Sequence, residues 1–352
     1  MSGEPQIRAS IIVVSYNALD KLVPCLRSVL SHLSSDCELI VIDNASSEGN
    51  ADAIAAQFPE VKLVRSPVNL GFGPGANRAA VRARGHYLAF LNPDTLVEPE
   101  WVERMIDGLE RETRAGLATP KIVMAGAPEK INTCGCDVHL SGLALCRGLL
   151  QPASGYSRTA RVGSISGAAF VIRRELFELL GGFDEDMFLY VEDIDLSWRA
   201  RLGGWETIYV PESVVRHDYE FKLSRQKIFW QERNRYLMLL KSLRWPTLIA
   251  ISPALLLTEI VSWGFVLLRD RKNAGNKPRA YLWVVRHWAR IMRGRKDTRE
   301  VRAVSDRDML KATTFALDFQ QGGGGQAGAF AGYIFNPLFF LLRSVALAVV
   351  WW

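Results

Sequence analysis

The stretch that decides the fold is SIIVVSYN, residues 10–17. Ile11 to Val14 form an unbroken β-branched run with no polar residue between them. Such a run reads as a strand buried on both faces rather than one with a wet side. The same reading applies to ELIVID (38–43), VKLVR (61–65) and HYLAFL (86–91). Between the first two, Leu22, Leu26, Val29, Leu30 and Leu33 recur at helical spacing, as residues 76–84 do later. Strands alternating with helices imply parallel strands joined by right-handed crossovers. Ligands of such sheets lie beyond the carboxyl ends of the strands, so the residues that follow each run are the ones to examine for chemistry.

Further along, Pro99–Glu112 reads as a helix and Gly116–Val123 as a strand, and Ala125–Arg161 as an insertion or long loop region without clear period. Ser166–Ile172 reads as a strand, Arg174–Leu180 and Glu192–Leu202 as helices, and Trp205–Val210 as a strand ended by Pro211. Leu223–Leu243 is a long helix candidate. Beyond Pro246 the character changes. Thr247–Leu268 is almost wholly apolar, interrupted by Pro253, Glu259 and Gly264. Its length suits a bilayer, for which about 20 apolar residues suffice. A central Glu is expensive there, and the Pro points to a bent or interfacial helix. Arg269–Arg279 and Arg286–Arg299 are dense in Lys and Arg, with Trp283 and Trp288 among them. Gly322–Gly325 reads as a hinge, and Ile334–Trp352 is again apolar.

Charge divides the same way. Residues 1–220 carry 21 Lys+Arg against 29 Asp+Glu, a net of −8, whereas residues 221–352 carry 22 against 8, a net of +14. Apolar runs, flanking basics and Trp form a membrane signature, so an anionic membrane surface is the expected partner of the tail. No helix-turn-helix, zinc-finger or RNA-binding signature accompanies the basic clusters, which argues against nucleic acid. The five cysteines are odd in number and unpatterned, as expected of thiols in a reducing compartment. Met1–Ser10 is polar and the first apolar run is too short for a signal-peptide core, so the acidic part is expected in the cytoplasm.

Four polar clusters follow the four early strands: Ser15-Tyr16-Asn17, Asp43-Asn44-Ala45-Ser46, Asn69 to Asn77 with its glycines, and Asn92-Pro93-Asp94-Thr95. Singly, each is an ordinary cap or turn. In succession they point to a nucleotide site, while the glycine spacing misses both the Walker and the dinucleotide-binding patterns. A fifth set, Ser166–Ala169, Gly181–Glu185 and Glu192–Arg199, is rich in carboxylates. Asp195 and Arg199 stand four apart on a helix and default to an ion pair. A carboxylate at a helix start inside a cleft is also well placed as a general base.

The ordered series VSYN, VIDNAS, NLGFGPGAN, LNPDT, SGAAFVIRR and GGFDEDMFLYVEDIDLSWR, followed by His217, resembles the family 2 glycosyltransferases over roughly residues 8–240. It is most similar to the rhamnosyltransferase-like branch that builds cell-surface polysaccharides. The resemblance implies a GT-A fold: an α/β, Rossmann-like mixed sheet with helices on both faces over residues 1–222. A helical, basic and apolar membrane-associating region then occupies 223–352. It implies inverting, metal-dependent transfer of one sugar from a nucleotide-diphosphate donor, dTDP-rhamnose or a UDP-sugar. The acceptor would be a polyprenyl-diphosphate-linked or other glycan, at the cytoplasmic face of the cell membrane.

By similarity Asp43 reads the nucleobase, and Ser15, Asn17, Asn69 and Asn77 line the nucleoside pocket. Asn92 and Asp94 face the donor, and Asp94 and His217 hold a divalent ion, Mg2+ or Mn2+. Asp193 is the catalytic base with Glu192 beside it, while Gly167, Asp184 and Trp198 shape the acceptor side. Two departures stand out. Asn92-Pro93-Asp94 lacks the first carboxylate of the family's metal motif, which leaves open a non-catalytic nucleotide-sugar-binding or scaffold protein. Lys241-Ser242-Leu243-Arg244-Trp245 lacks the Gln of the processive Q-x-x-R-W signature, which favours single-sugar addition. Whether the chain forms a homo-oligomer is left open.

Overall fold

In the computed structural model, which describes residues 6–47, 50–219, 226–319, 321 and 325–352, the first apolar run becomes a fully buried strand, β1 (Ala9–Ser15). Its side chains alternate between two cores, which is why no polar residue interrupts it. Ile11 and Val13 pack on one face with Leu22, Leu26, Trp101 and Met105. Ile12 and Val14 pack on the other with Ala76, Phe90, Phe170 and Phe183.

The strands that follow are β2 (Cys37–Asp43), β3 (Lys62–Arg65), β4 (Tyr87–Leu91), β5 (Thr95–Val97), β6 (Ala115–Met124) and β7 (Ala127–Thr133). Then come β8 (Cys136–Val138), β9 (Ala144–Cys146), β10 (Ala160–Val162), β11 (Ala169–Arg173) and β12 (Glu206–His217). One mixed sheet runs β10-β12-β6-β11-β4-β1-β2-β3, with β5 on β12 and β7 on β6. The strands β4, β1, β2 and β3 are parallel. The next strand, β11, is antiparallel to both β4 and β6, and β12 runs parallel to β6. Helices α1 (Leu19–Leu30), α2 (Asn50–Gln57), α3 (Phe72–Ala80), α4 (Trp101–Arg111), α5 (Arg174–Leu179) and α6 (Glu192–Leu202) cover the faces.

Three expectations need correction. Ala125–Arg161 is not a loop region but carries β7 to β10. These strands are mostly three residues long, and the exposed Pro128-Glu129-Lys130 of β7 hides any period. The strand expected from Ser166 starts at Ala169, because Ser166–Ala168 form a turn whose Ala168 carbonyl accepts the Asn92 N–H (2.9 Å). The strand expected to end at Pro211 continues to His217, since a register shift between Val210 and Val214 absorbs the proline.

The chain packs as two compact units. The first comprises Met1–Gly135, Arg147–Ala200 and Trp205–Glu220, and the second Cys136–Cys146, Arg201–Gly204 and Phe221–Trp352. The hairpin β8–β9 therefore belongs with the C-terminal helices. These are α7 (Lys227–Ser242), α8 (Trp245–Ala250), α9 (Ser252–Arg269), α10 (Asn276–Arg286), α11 (Trp288–Glu300), α12 (Asp306–Lys311) and α13 (Gly325–Val349). The long apolar run splits at Ile251, with Pro253 in the first turn of α9, where its missing N–H costs nothing. Glu259 is not stranded among apolar neighbours: it pairs with Arg235 (2.5 Å) and Lys277 (3.1 Å), and the hydroxyls of Tyr236 and Tyr281 donate to it. Of the glycine run expected as a hinge, Gly322 to Gly324 lie outside the described residues, and Gly325 opens α13. The start of the long helix candidate at Leu223 and the 222/223 boundary also lie outside them.

Candidate functional site

The sheet topology brings the polar clusters to one edge. The carboxyl ends of β1, β2 and β4 share that edge because these strands are parallel. Because β11 runs the opposite way, its amino end, with Gly167 just before it, lies there as well. The direction reverses once more from β11 to β6, and β12 is parallel to β6, so the carboxyl end of β12, His217, arrives at the same place.

On the β1–β2 side, Ser15 and Asp43 are buried, and Ser15 Oγ and Asp43 Oδ1 find no partner among the described residues. Buried polar atoms left unpaired are costly, so they mark a place built to receive hydrogen-bonding groups. Asn17 has φ 50° and accepts the Ser47 N–H (2.8 Å), which ties the first loop to the second. Asn44 and Asn69 brace the glycine-rich turn. Asn44 Nδ2 donates to Asn69 Oδ1 (3.1 Å) and to the Gly71 carbonyl (2.8 Å), and Asn69 Oδ1 accepts the Gly71 N–H (2.9 Å). Gly71 has φ 84°, and a Cβ there would fall 2.0 Å from the Phe188 carbonyl oxygen. Asn77 is committed to the segment before α6, giving to the Phe183 carbonyl (2.9 Å) and Glu185 (2.6 Å) and accepting the Phe183 N–H (2.8 Å). Of these braces, Asn44 was not singled out by the sequence.

At the centre, Asn92 lies at the end of β4, its N–H held by Ala168, and Asp94 follows. Pairing of β5 with β12 sets Thr95 opposite His217 across 122 residues of chain, and so brings Asp94 Oδ1 to 3.3 Å from His217 Nε2. That Asp94 oxygen makes no hydrogen bond among the described residues. His217 Nδ1 lies 2.9 Å from Asn132 Oδ1. An amide oxygen only accepts, so in the neutral imidazole this bond puts the ring proton on Nδ1 and leaves a lone pair on Nε2. Two acceptors then face each other, which is unfavourable unless a cation or a proton lies between them. An imidazole nitrogen and a carboxylate oxygen are suitable donors for Mn2+, and the oxygen for Mg2+. No cluster of three or more His, Cys, Asp or Glu residues able to hold a metal occurs among the described residues. A bound ion would thus take its remaining ligands from water and from a donor's phosphates.

The carboxylates of α6 occupy the other side. Asp193 Oδ2 accepts the Gly167 N–H (2.7 Å) and its Oδ1 accepts the Ile194 N–H (2.9 Å). Burial raises its carboxyl above the ordinary range against the pull of those N–H groups. Glu192 is buried, with Oε2 unpartnered among the described residues. Burial raises its carboxyl well above the usual value, and Asp193 and Asp195 push it further. Asp195 is structural: Arg199 Nε donates to it at 2.7 Å while the same guanidinium holds the Leu180 and Gly182 carbonyls. Asp184 accepts the Asp186 N–H (2.9 Å), and Trp198 is buried with its indole N–H unpartnered among the described residues. Immediately before Glu192, Tyr190 and Val191 both have positive φ, 66° and 71°. Left-handed backbone at a bulky and a β-branched residue is strained, and it sets the start of the helix that presents both carboxylates. Nothing in the sequence signals it.

The mixed sheet with helices on both faces has the GT-A fold, and solved structures agree on it. The chain superposes on GalNAc-T7 with UDP, GalNAc and Mn2+ at TM-score 0.56 and 19% identity, covering 68% of this chain and 48% of that one. It superposes on S. aureus TarS 1-349 in complex with UDP-GlcNAc at TM-score 0.53 and 14% identity, covering 97% and 89%. The profile of Glycosyl transferase family 2 matches residues 10–180. Among relatives, an N-acetylglucosaminyl-diphospho-decaprenol L-rhamnosyltransferase of Mycobacterium tuberculosis is 26% identical over 234 residues, 59% of this chain and 75% of that protein. A poly-beta-1,6-N-acetyl-D-glucosamine synthase of Staphylococcus epidermidis is 24% identical over 272 residues, 74% and 63%. Residues 10–180 thus match family 2 glycosyltransferases, and the chain is similar to rhamnosyltransferases.

Proposed function

We propose that this enzyme transfers a single sugar, with inversion, from dTDP-rhamnose or a UDP-sugar to a hydroxyl of a lipid-linked glycan, at the cytoplasmic face of the membrane. The observation that carries the reading is the shared sheet edge. It joins His217 Nε2, 3.3 Å from Asp94 Oδ1, to an Asp193 carboxylate that accepts the Gly167 N–H at 2.7 Å. Asp94 and His217 would hold a divalent cation, which when bound neutralises the departing diphosphate as a Lewis acid. Asp43 and Ser15 offer their unpaired atoms to the nucleoside.

Asp193 receives the acceptor's proton. The acceptor oxygen bonds to the anomeric carbon as the sugar–diphosphate bond breaks, and the electron pair leaves with the nucleotide diphosphate. Two N–H bonds aim the carboxylate, and its raised pKa makes it a stronger base than an exposed Asp. Burial and the neighbouring carboxylates raise the Glu192 carboxyl well above its ordinary value, which favours its neutral form beside the base. The absence of a second nucleophilic carboxylate from the motif series suits one displacement. The relatives' names, a rhamnosyltransferase acting on a diphospho-decaprenol and a polysaccharide synthase, support a lipid-linked acceptor. The apolar helices α9 and α13 support a membrane location.

The test is a panel of nucleotide sugars with Mn2+ or Mg2+ and a polyprenyl-diphosphate-linked acceptor, with and without chelator. Transfer that a chelator abolishes is expected, and chelator-insensitive transfer would remove the metal role. Asn92, where the family's motif has a carboxylate, favours one rival, a binder without catalysis. That rival predicts donor binding with no nucleotide diphosphate released by any acceptor.

A further inference from the structure

The second unit leaves a large apolar surface open. The apolar segments Ser252–Arg269 of α9 and Gly328–Val349 of α13 each hold an 18-residue stretch of mean hydropathy 1.3 and 1.6, yet only 17% and 11% of those stretches is buried. On α9, Leu256, Ile260 and Leu267 fall on one stripe by helical spacing and are at least half exposed. On α13, Phe330, Tyr333, Leu341 and Val345 are open, and Trp351 just past its end is open too. Length and composition alone would let either helix cross a bilayer, since 18 residues at 1.5 Å each make about 27 Å.

The opposite faces argue against crossing. Glu259, near the middle of α9, is bound by Arg235 and Tyr236 of α7 and by Lys277 and Tyr281 of α10. Glu232 of α7 pairs with Lys277 at 2.6 Å, and Lys277 is wholly buried. If α9 stood across a membrane, this network and the charged helices that carry it would be drawn to the bilayer's mid-plane, where ionised side chains are expensive. The same holds for α13. Asn336, at its middle, exchanges hydrogen bonds with the Leu317 backbone (2.9 and 3.2 Å), and Arg343 donates to the Lys311 carbonyl (3.0 Å). Past its end the Trp352 indole donates to Thr247 of α8 (2.9 Å). Each helix has one face fixed to polar protein and one face open.

We propose that the second unit is a monotopic membrane module. In this module α8, α9 and α13 lie in the plane of one anionic leaflet with their open faces in the acyl boundary, and neither long helix spans. Amphipathic helices in this setting sink about 5–10 Å below the headgroups. Charge complementarity selects the lipid: residues 221–352 carry 22 Lys+Arg against 8 Asp+Glu, with Arg244, Arg279, Arg286 and Arg293 exposed. Trp245 stacks on Trp288 (5.7 Å) at the edge of that basic region, and both are partly exposed, as indoles are at membrane interfaces. This inference rests on the membrane location proposed above and gives its geometry.

The full chain is mixed with preformed vesicles of phosphatidylcholine alone or of phosphatidylcholine and phosphatidylglycerol in equal parts. Sedimentation with the anionic vesicles, weakened by salt, is expected. Ser252→Cys and Arg271→Cys, flanking α9, are then labelled with a membrane-impermeant maleimide, in a background with Cys37→Ser and Cys146→Ser. Both sites should react equally with and without detergent. A site protected until detergent is added would overturn the in-plane geometry and leave membrane association standing. Failure to bind protein-free anionic vesicles would overturn both and assign the surface to a protein partner. The double variant L256S/I260S should bind vesicles at least about tenfold more weakly while its transfer to a water-soluble acceptor is unchanged. Unchanged vesicle binding would remove α9 from the contact surface, and loss of soluble-acceptor transfer in all forms would instead count against the transferase reading.

Discussion

Asn132→Ala tests the metal side through a residue that acts by way of His217. Asn132 is buried on β7, and its amide oxygen, 2.9 Å from His217 Nδ1, is what keeps the proton off the nitrogen that faces Asp94. Without that acceptor, the imidazole is free to place its proton on Nε2 and donate it across the 3.3 Å gap to Asp94. A hydrogen bond to a charged partner contributes about 1.5–3 kcal/mol, and a cation must displace it to bind. Outer partners of metal-ligating histidines typically control about 10–100-fold in affinity. The two estimates agree, since tenfold corresponds to about 1.4 kcal/mol. The half-saturating Mn2+ concentration for transfer should therefore rise about 10–100-fold, with kcat at saturating metal close to that of the unsubstituted enzyme. Asn132→Asp, which keeps an acceptor on Nδ1, should stay near the starting value. The assay is initial transfer rate against free Mn2+ for the three proteins, with melting temperature as a control for folding. An unchanged half-saturation point in Asn132→Ala, or a loss of kcat with unchanged metal dependence, would refute the reasoning.

Asp193→Asn should lower kcat by about 10²–10⁴-fold with donor binding retained by calorimetry; near-normal turnover would remove Asp193 as the base. Folded Glu192 holds its proton more tightly than unfolded Glu192, so stability contributed by that proton falls as pH rises from the ordinary carboxyl range through the raised one. Glu192→Gln should thus melt higher than the parent near neutral pH, with the gap closing as pH falls, and the opposite trend would contradict the raised pKa. Arg199→Ala removes the guanidinium that neutralises the buried Asp195 carboxylate, and should cost about 3–5 kcal/mol in urea unfolding. A loss under about 1 kcal/mol would mean that the pair behaves as an exposed one.

The half of the sheet built from local, contiguous signals was legible in the sequence. Residues 10–15 and 38–43 read as strands because both their faces are buried, and a residue's neighbours in sequence suffice to show it. The Asp195–Arg199 pair was legible because helical spacing alone brings i and i+4 together. What escaped depends on distant chain. The proline expected to stop β12 is absorbed by a register shift that β6 makes favourable. Asn132 meets His217 only because both β7 and β12 pair with β6, and no short-range pattern encodes that. Tyr190 and Val191 are poor residues for left-handed backbone, so composition argued against the conformation that the loop adopts. Glu259 looked like a defect in an apolar helix until its cationic partners on α7 and α10 were in place.

The short ladder between β5 and β12 has a consequence for how such enzymes can be recombined. Residues 15 to 94 carry most of the groups proposed for the donor, and residues 167 to 217 carry the base and the histidine that faces Asp94. The ladder pairs Val97 with Val215, Leu96 with Arg216 and Thr95 with His217, and is the stitch between those portions at the proposed metal, beside the longer ladder of β4 with β11. A chimera that keeps the first portion and borrows the second from a relative could inherit a new acceptor preference. Its success turns on that three-residue register, because a slip of one position would turn His217 to the opposite face of the sheet and leave Asp94 without its counterpart. Modularity in this fold is limited by the seam more than by either of the parts it joins.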